Sequence, residues 1–122
     1  MDEAYLEFLE DRESKSMVDL VAKGKNVIVA RTFSKIHGMA GLRIGYAVAL
    51  PETLNKIREM VRSNMGLSVT SLRGAMASIN AIDFQEKSRA LTAASRSYLA
   101  SELDSLGFAY VPSHTSFMIF PI

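Results

Sequence analysis

Residues 31–46 read RTFSKIHGMAGLRIGY, a stretch that follows the apolar run NVIVA and sets one lysine among three glycines. A solvated lysine needs no such setting. An amine turns nucleophilic toward carbonyls when burial or nearby positive charge lowers its pKa. Glycines beside it let the backbone approach a bound molecule closely. Thr32 and Ser34 add hydroxyl donors, and Arg43 adds a planar fork suited to phosphate oxygens.

Flanking segments give this stretch its frame. NVIVART (26–32) is a continuous apolar run without alternation, the signature of a strand covered on both faces. RIGYAVAL (43–50) predicts a second strand. Only a loop joins the two, so as neighbours in one sheet they are expected to pair antiparallel. Upstream, DEAYLEF reads as a strand end and turn, and LEDRESKS as a charged loop. Ser16 is placed to cap a helix over about 17–23 that Gly24 ends. Downstream, Pro51 opens a helix over 51–63 with Leu54, Ile57 and Val61 inward. A helix at 69–81 carries Val69, Leu72, Met76 and Ile79 as an apparent core stripe. Asp83 and Glu86 form a capping-box pattern for a long helix, 83–106, that stops at Gly107. FAYV and SFMIFPI predict two short strands. The class is α/β.

Composition narrows the functions. The 122 residues carry 14 Lys+Arg against 13 Asp+Glu, so no basic field favours nucleic acid or an acidic membrane. There is no cysteine, which excludes disulfides and thiolate metal sites and agrees with a cytoplasmic setting. No apolar run approaches the roughly 20 residues that span a bilayer. No metal site is expected.

A carbonyl-reactive lysine beside phosphate donors meets the two needs of pyridoxal 5'-phosphate, an amine for its aldehyde and a cradle for its anion. P-loops and other anion sites use similar parts, so the residues alone leave the choice open. The order Ser34, Lys35, Gly38, Gly41, Arg43, Gly45 resembles the cofactor-lysine segment of class I/II aminotransferases of fold type I, S-K-x-x-G-x-x-G-x-R-x-G. It is most similar to the histidinol-phosphate aminotransferase group, in which DEAY (2–5) also finds a match. Six fixed positions at about 7% usage each coincide by chance on the order of once in 10⁷ starting points.

The resemblance implies a set of roles. Lys35 would form a Schiff base with the cofactor and serve as general base and acid. Asp2 would pair with the pyridine nitrogen, and Tyr5 would hydrogen-bond the phenolic oxygen. Thr32, Ser34 and Arg43 would grip the phosphate, while Gly38, Gly41 and Gly45 shape backbone. His37 falls where the family pattern varies and is read as a loop residue. Ser116 stands where the family often has asparagine, a departure that weakens a substrate-contact reading of that stretch. Arg58, Arg62 and Arg73 are read as solvated or as lying between copies.

The resemblance also implies an extent. Residues 1–82 would be the C-terminal part of a cofactor-binding large domain, 83–106 a connecting helix, and 107–122 the start of a truncated small domain. The chain is therefore expected to be a piece of a larger enzyme. That enzyme would move an amino group from an amino acid or amino-phosphate donor to a 2-oxo acid, in amino-acid biosynthesis and as a homodimer. The isolated chain is expected to be inactive and to self-associate through its unpaired sheet edges. A decarboxylase or lyase of the same fold, or a non-catalytic binding or dimerisation module, are the alternatives.

Overall fold

In the computed structural model, which describes residues 1–61 and 66–121, the two predicted strands pair antiparallel. They are shorter than their apolar runs. β1 is Val29–Thr32 and β2 is Gly45–Val48, with Val29 opposite Val48, Ala30 opposite Ala47, Arg31 opposite Tyr46 and Thr32 opposite Gly45. The N-terminal segment lies along the other edge of β1, where Asp2 bridges Ala30 in parallel. Ala30 donates to Met1 O and accepts from Glu3 N, both at 2.9 Å. β1 is not covered on both faces as its apolar run predicts. Val29 is buried, Ala30 is exposed, and Arg31 and Thr32 are half-buried.

Between the strands, residues 33–44 form the lysine loop. Phe33 N donates to Ile44 O at 3.1 Å, continuing the ladder for one more bond, and Met39 N returns to Phe33 O at 2.9 Å. Phe33 and Ile44 turn inward from the loop's two ends and meet Ala75, with Met39 packed against them.

Helices follow the sequence closely in position. Short α1 (Arg12–Lys15) and α2 (Val18–Ala22) precede β1, and α3 (Pro51–Met60), α4 (Val69–Ile79) and α5 (Ile82–Ser105) follow β2. The charged loop thus contains the single turn of α1, with Lys15 and Asp11 3.7 Å apart. At α2 the Ser16 hydroxyl accepts from Val18 N at 3.2 Å, although Met17 holds the cap position. Gly24 and Gly107 follow α2 and α5 at φ of 73° and 74°, the left-handed conformation that ends a helix most easily on glycine. α3 keeps Leu54 and Ile57 half-buried but ends at Met60, leaving Val61 exposed. The remainder of the predicted 51–63 helix, Arg62 with it, lies outside the described residues.

Three expectations are corrected. The stripe Val69, Leu72, Met76 and Ile79 does not face the core, for these side chains are 50–74% exposed. α4 instead buries Ser71 and Ala75, and a Cβ on Gly74 would stand 3.0 Å from Met39 Cε. The lysine loop lies so near α4 that only small side chains fit between them. The capping box at Asp83 does not form. Ala81 is the cap, Asp83 lies in the first turn, and Gln85 reaches back to the carbonyls of Ser78 and Ile79. The final segments do not build strands; Val111 and Ile119 meet in one antiparallel bridge. Of the 24 residues of α5 only Leu103 is buried.

The close approaches at the two glycines give opposite expectations. A Cβ on Gly45 would sit 2.7 Å from the Arg31 carbonyl oxygen, which belongs to backbone that cannot yield without opening the β1–β2 pairing. Gly45→Ala is expected to destabilise by about 1–3 kcal/mol. At Gly74 the obstacle is a mobile methionine end, and alanine gains helix propensity, so Gly74→Ala is expected to stay within about 1 kcal/mol of the parent. Urea midpoints of the two variants check both.

Candidate active site

Four short segments converge on Lys35. β1 ends at Thr32, whose Oγ1 accepts from Ser34 N at 3.1 Å and turns the chain out of the sheet. Ile36, the residue after the lysine, is 2% exposed and anchors the loop, while Lys35 itself remains exposed. Its Nζ stands 5.0 Å from the centroid of the Tyr5 ring. Such an ammonium over an aromatic face is stabilised by roughly 0.5–1 kcal/mol at exposed positions. Tyr5 is held in turn by aromatic neighbours. Phe117 meets it edge-on at 5.4 Å and 77°, and Phe8 lies 6.2 Å away. The C-terminal segment therefore touches the site through Phe117, three residues beyond His114.

Asp2 is placed by backbone. Its bridge to Ala30 puts it on the same sheet face as Thr32, and its Oδ1 accepts from Ala4 N at 3.0 Å. Asp2, Ala30 and Thr32 line a hollow of about 490 Å³, and Asp2 and Tyr5 share a second of about 400 Å³ with His114 and Thr115. Lys35 and Arg43 line neither. Arg43 follows a single helical turn, Ala40–Leu42, at φ 49°, and its Nη1 donates to Ala40 O at 3.1 Å. The guanidinium is thus folded back on its own turn. The structure brings Lys35 and Tyr5 together, and Asp2 and Thr32 together, and sets Arg43 at the far end of the same loop.

Beside these lies a polar network that the sequence reading did not single out. Glu3 is 6% exposed. Its Oε2 accepts from Arg31 Nε at 3.0 Å and Nη2 at 2.8 Å, and its Oε1 from Met17 N at 2.6 Å. Ser16 Oγ accepts from Arg31 Nη2 at 2.8 Å and lies 3.3 Å from Glu3 Oε2. Glu7 completes the group, 4.0 Å from Arg31, and burial pushes its carboxyl above the usual range. The available signal was Arg31 itself, a charge inside an apolar run.

His37 is a tie between loop and helix. Its Nδ1 lies 2.8 Å from Ser78 Oγ on α4 and its ring 4.8 Å from that of Phe33. Among the described residues no cluster of His, Cys, Asp or Glu could hold a metal ion, and no helix is long and apolar enough to cross a membrane.

With this geometry in hand, comparison with known proteins is decisive. The profile of the family "Aminotransferase class I and II" matches residues 1–122. The chain belongs to that family. It is 40% identical to histidinol-phosphate aminotransferase 1 of Caulobacter vibrioides, over 98% of this chain and 33% of that protein. A solved protein of Erwinia carotovora atroseptica superposes with a TM-score of 0.90 at 35% identity, over 98% of this chain and 34% of that one. Histidinol-phosphate aminotransferase from Sinorhizobium meliloti, solved in complex with pyridoxal-5'-phosphate, gives 0.84 at 33% identity, over 96% of this chain and 31% of that one. This aminotransferase chain spans about a third of the length of the curated relatives it matches. The mixed helix and strand architecture is accordingly that of a part of the fold these aminotransferases share.

Burial holds the His37 imidazole below its ordinary pKa, against a smaller opposing effect of the bond at Ser78. The unfolded chain therefore takes up this proton first as pH falls. Stability owed to neutral His37 is complete above about 6.5 and declines as pH drops from there through the lowered folded value. Between pH 7.5 and 5.5, urea midpoints of the parent are expected to fall more steeply than those of His37→Gln.

Proposed function

We propose that this chain is the lysine-bearing portion of a pyridoxal-phosphate-dependent transaminase. The observation that carries the reading is Lys35 Nζ seated over the Tyr5 ring, with Asp2 fixed on the adjoining strand edge. The donor set fits the cofactor chemically. An amine suits an aldehyde, a carboxylate a protonated ring nitrogen, a phenol a phenolate oxygen, and two hydroxyls with a guanidinium a phosphate. Asp2, Tyr5, Lys35, Thr32, Ser34 and Arg43 are the residues that would hold it, Arg43 after its side chain swings out from Ala40. When bound, the cofactor supplies a sink for the electrons left at a substrate Cα.

The protein's part is positional and acid–base. Lys35 Nζ would serve as general base for the substrate Cα proton and as general acid in returning it. The Asp2 carboxylate would keep a proton on the ring nitrogen, and the Tyr5 hydroxyl would bond the oxygen opposite. Thr32, Ser34 and Arg43 would hold the phosphate. The relatives' names support an amino donor of the histidinol-phosphate kind, and the acceptor proposed with it is a 2-oxo acid. Residues 1–82 are assigned to the cofactor domain, 83–106 to the connecting helix and 107–122 to the start of the small domain. The exposed α4 stripe supports assembly against further protein surface, including a second subunit, in a cytoplasmic homodimer. Alone, the chain is expected to turn over no substrate.

Borohydride reduction with pyridoxal phosphate, followed by peptide mapping, tests the assignment. In the full-length protein that carries this sequence, label is expected on Lys35 and is expected to vanish in Lys35→Ala. Label scattered over Lys15, Lys23, Lys25, Lys56 and Lys87 in that protein would sink the cofactor reading.

A further inference from the structure

Asp2 and Glu3 pose a problem of choice. They are adjacent acids on a segment that meets β1 through a single bridge, and side chains on such a segment alternate between faces. A slip of one residue against β1 would exchange them. Hydrophobic patterning cannot prevent this, since both residues are carboxylates of like charge. Two backbone bonds to Ala30 do not prevent it either, because peptide groups pair equally well one residue on.

We propose that the pair of buried Glu3 with half-buried Arg31 is the positioning device that selects which acid faces the site, holding Glu3 on the Arg31 side so that Asp2 lies beside Thr32. The role given to Asp2 rests on the functional reading above. The reach of the side chain decides the selection. Glu3 accepts from Arg31 Nε and Nη2 with one oxygen and from Met17 N with the other, so its carboxylate spans from β1 to the start of α2. Aspartate, one methylene shorter, could not span both from the same backbone position. Arg31 is held further by Ser16 Oγ, which accepts from the same Nη2, and by Glu7 at Nη1. Burying an ion pair is a poor way to add stability, and such pairs are best attested as devices that fix register. Glu3 is thus a positioning residue, acting through Asp2 and not on the cofactor.

Amide hydrogen exchange on this chain tests the lock without any cofactor. The Glu3 and Ala30 amides, bonded to Ala30 O and Met1 O, report the register directly. In Arg31→Met their protection is expected to fall by roughly tenfold or more while the β1–β2 ladder keeps its own. Glu3→Gln, which retains the acceptor for Met17 N, serves where Arg31→Met does not fold and is expected to show the same selective loss. Unchanged protection at both amides in a folded variant would overturn the proposal. A second readout follows the site. With ¹⁵N-labelled pyridoxal phosphate reduced onto Lys35 of the full-length protein, the ring nitrogen is expected to be protonated in the parent at neutral pH and to lose that proton in Glu3→Gln. A ring nitrogen that stays protonated in a variant whose register is lost would overturn the link to Asp2. An unprotonated nitrogen already in the parent, with selective amide loss in the variants, would refute the functional reading of Asp2 and still confirm the lock.

Discussion

The bond from the Phe33 amide to the Ile44 carbonyl closes the lysine loop, and most of what this chain does structurally hangs from it. It brings the two ends of a 12-residue excursion together at the mouth of the β1–β2 pair, where Phe33 and Ile44 become neighbours in the core. Once the ends are fixed, the loop has little freedom left. Ile36 is driven inward, Met39 returns to Phe33, and His37 reaches Ser78. Lys35, between two anchored residues, is left as the side chain that points away. Its exposure follows from the burial of its neighbours.

A loop packed this tightly dictates the helix beside it. α4 meets the loop through Ser71, Gly74 and Ala75, and Ser71 Oγ donates to Leu42 O at 2.7 Å. Small residues bring two backbones close, and a hydroxyl supplies the bond that a larger apolar side chain would have displaced. The same choice turns Leu72 and Met76 outward. Apolar surface on α4 is therefore a by-product of holding the lysine loop, and within this chain it meets no partner among the described residues.

The lysine segment, the antiparallel sense of the strands and the places of the three long helices were legible in the sequence because each rests on local chemistry. Glycine spacing, a missing crossover helix, Pro51 and Gly107 all act within a few residues of where they stand. Errors arose where distance in sequence mattered. The 69–79 stripe has a helical period, yet periodicity reports that a face is apolar and not what covers it. Asp83 matched a cap pattern, but the chain enters α5 one residue before it. Glu3 and Arg31 are 28 positions apart, and neither their pairing nor the burial of Glu3 is written in any short motif. The roles proposed for Asp2, Tyr5 and Arg43 came from family resemblance; the structure adds which neighbours hold these side chains.

Arg43 occupies a left-handed backbone position, φ 49°, that costs a side-chain-bearing residue roughly 1–2 kcal/mol and costs glycine almost nothing. The same loop uses glycine at a comparable angle, Gly38 at 67°. The sequence places an arginine where the local backbone geometry would be easier for glycine. The bond it makes to Ala40 is too slight a reward for that strain. Position 43 thus joins a backbone angle that suits glycine to a side chain that glycine lacks. Backbone ease and side-chain use pull against each other there, and an anionic ligand that drew the arginine outward would meet a residue already held at the rim of the loop.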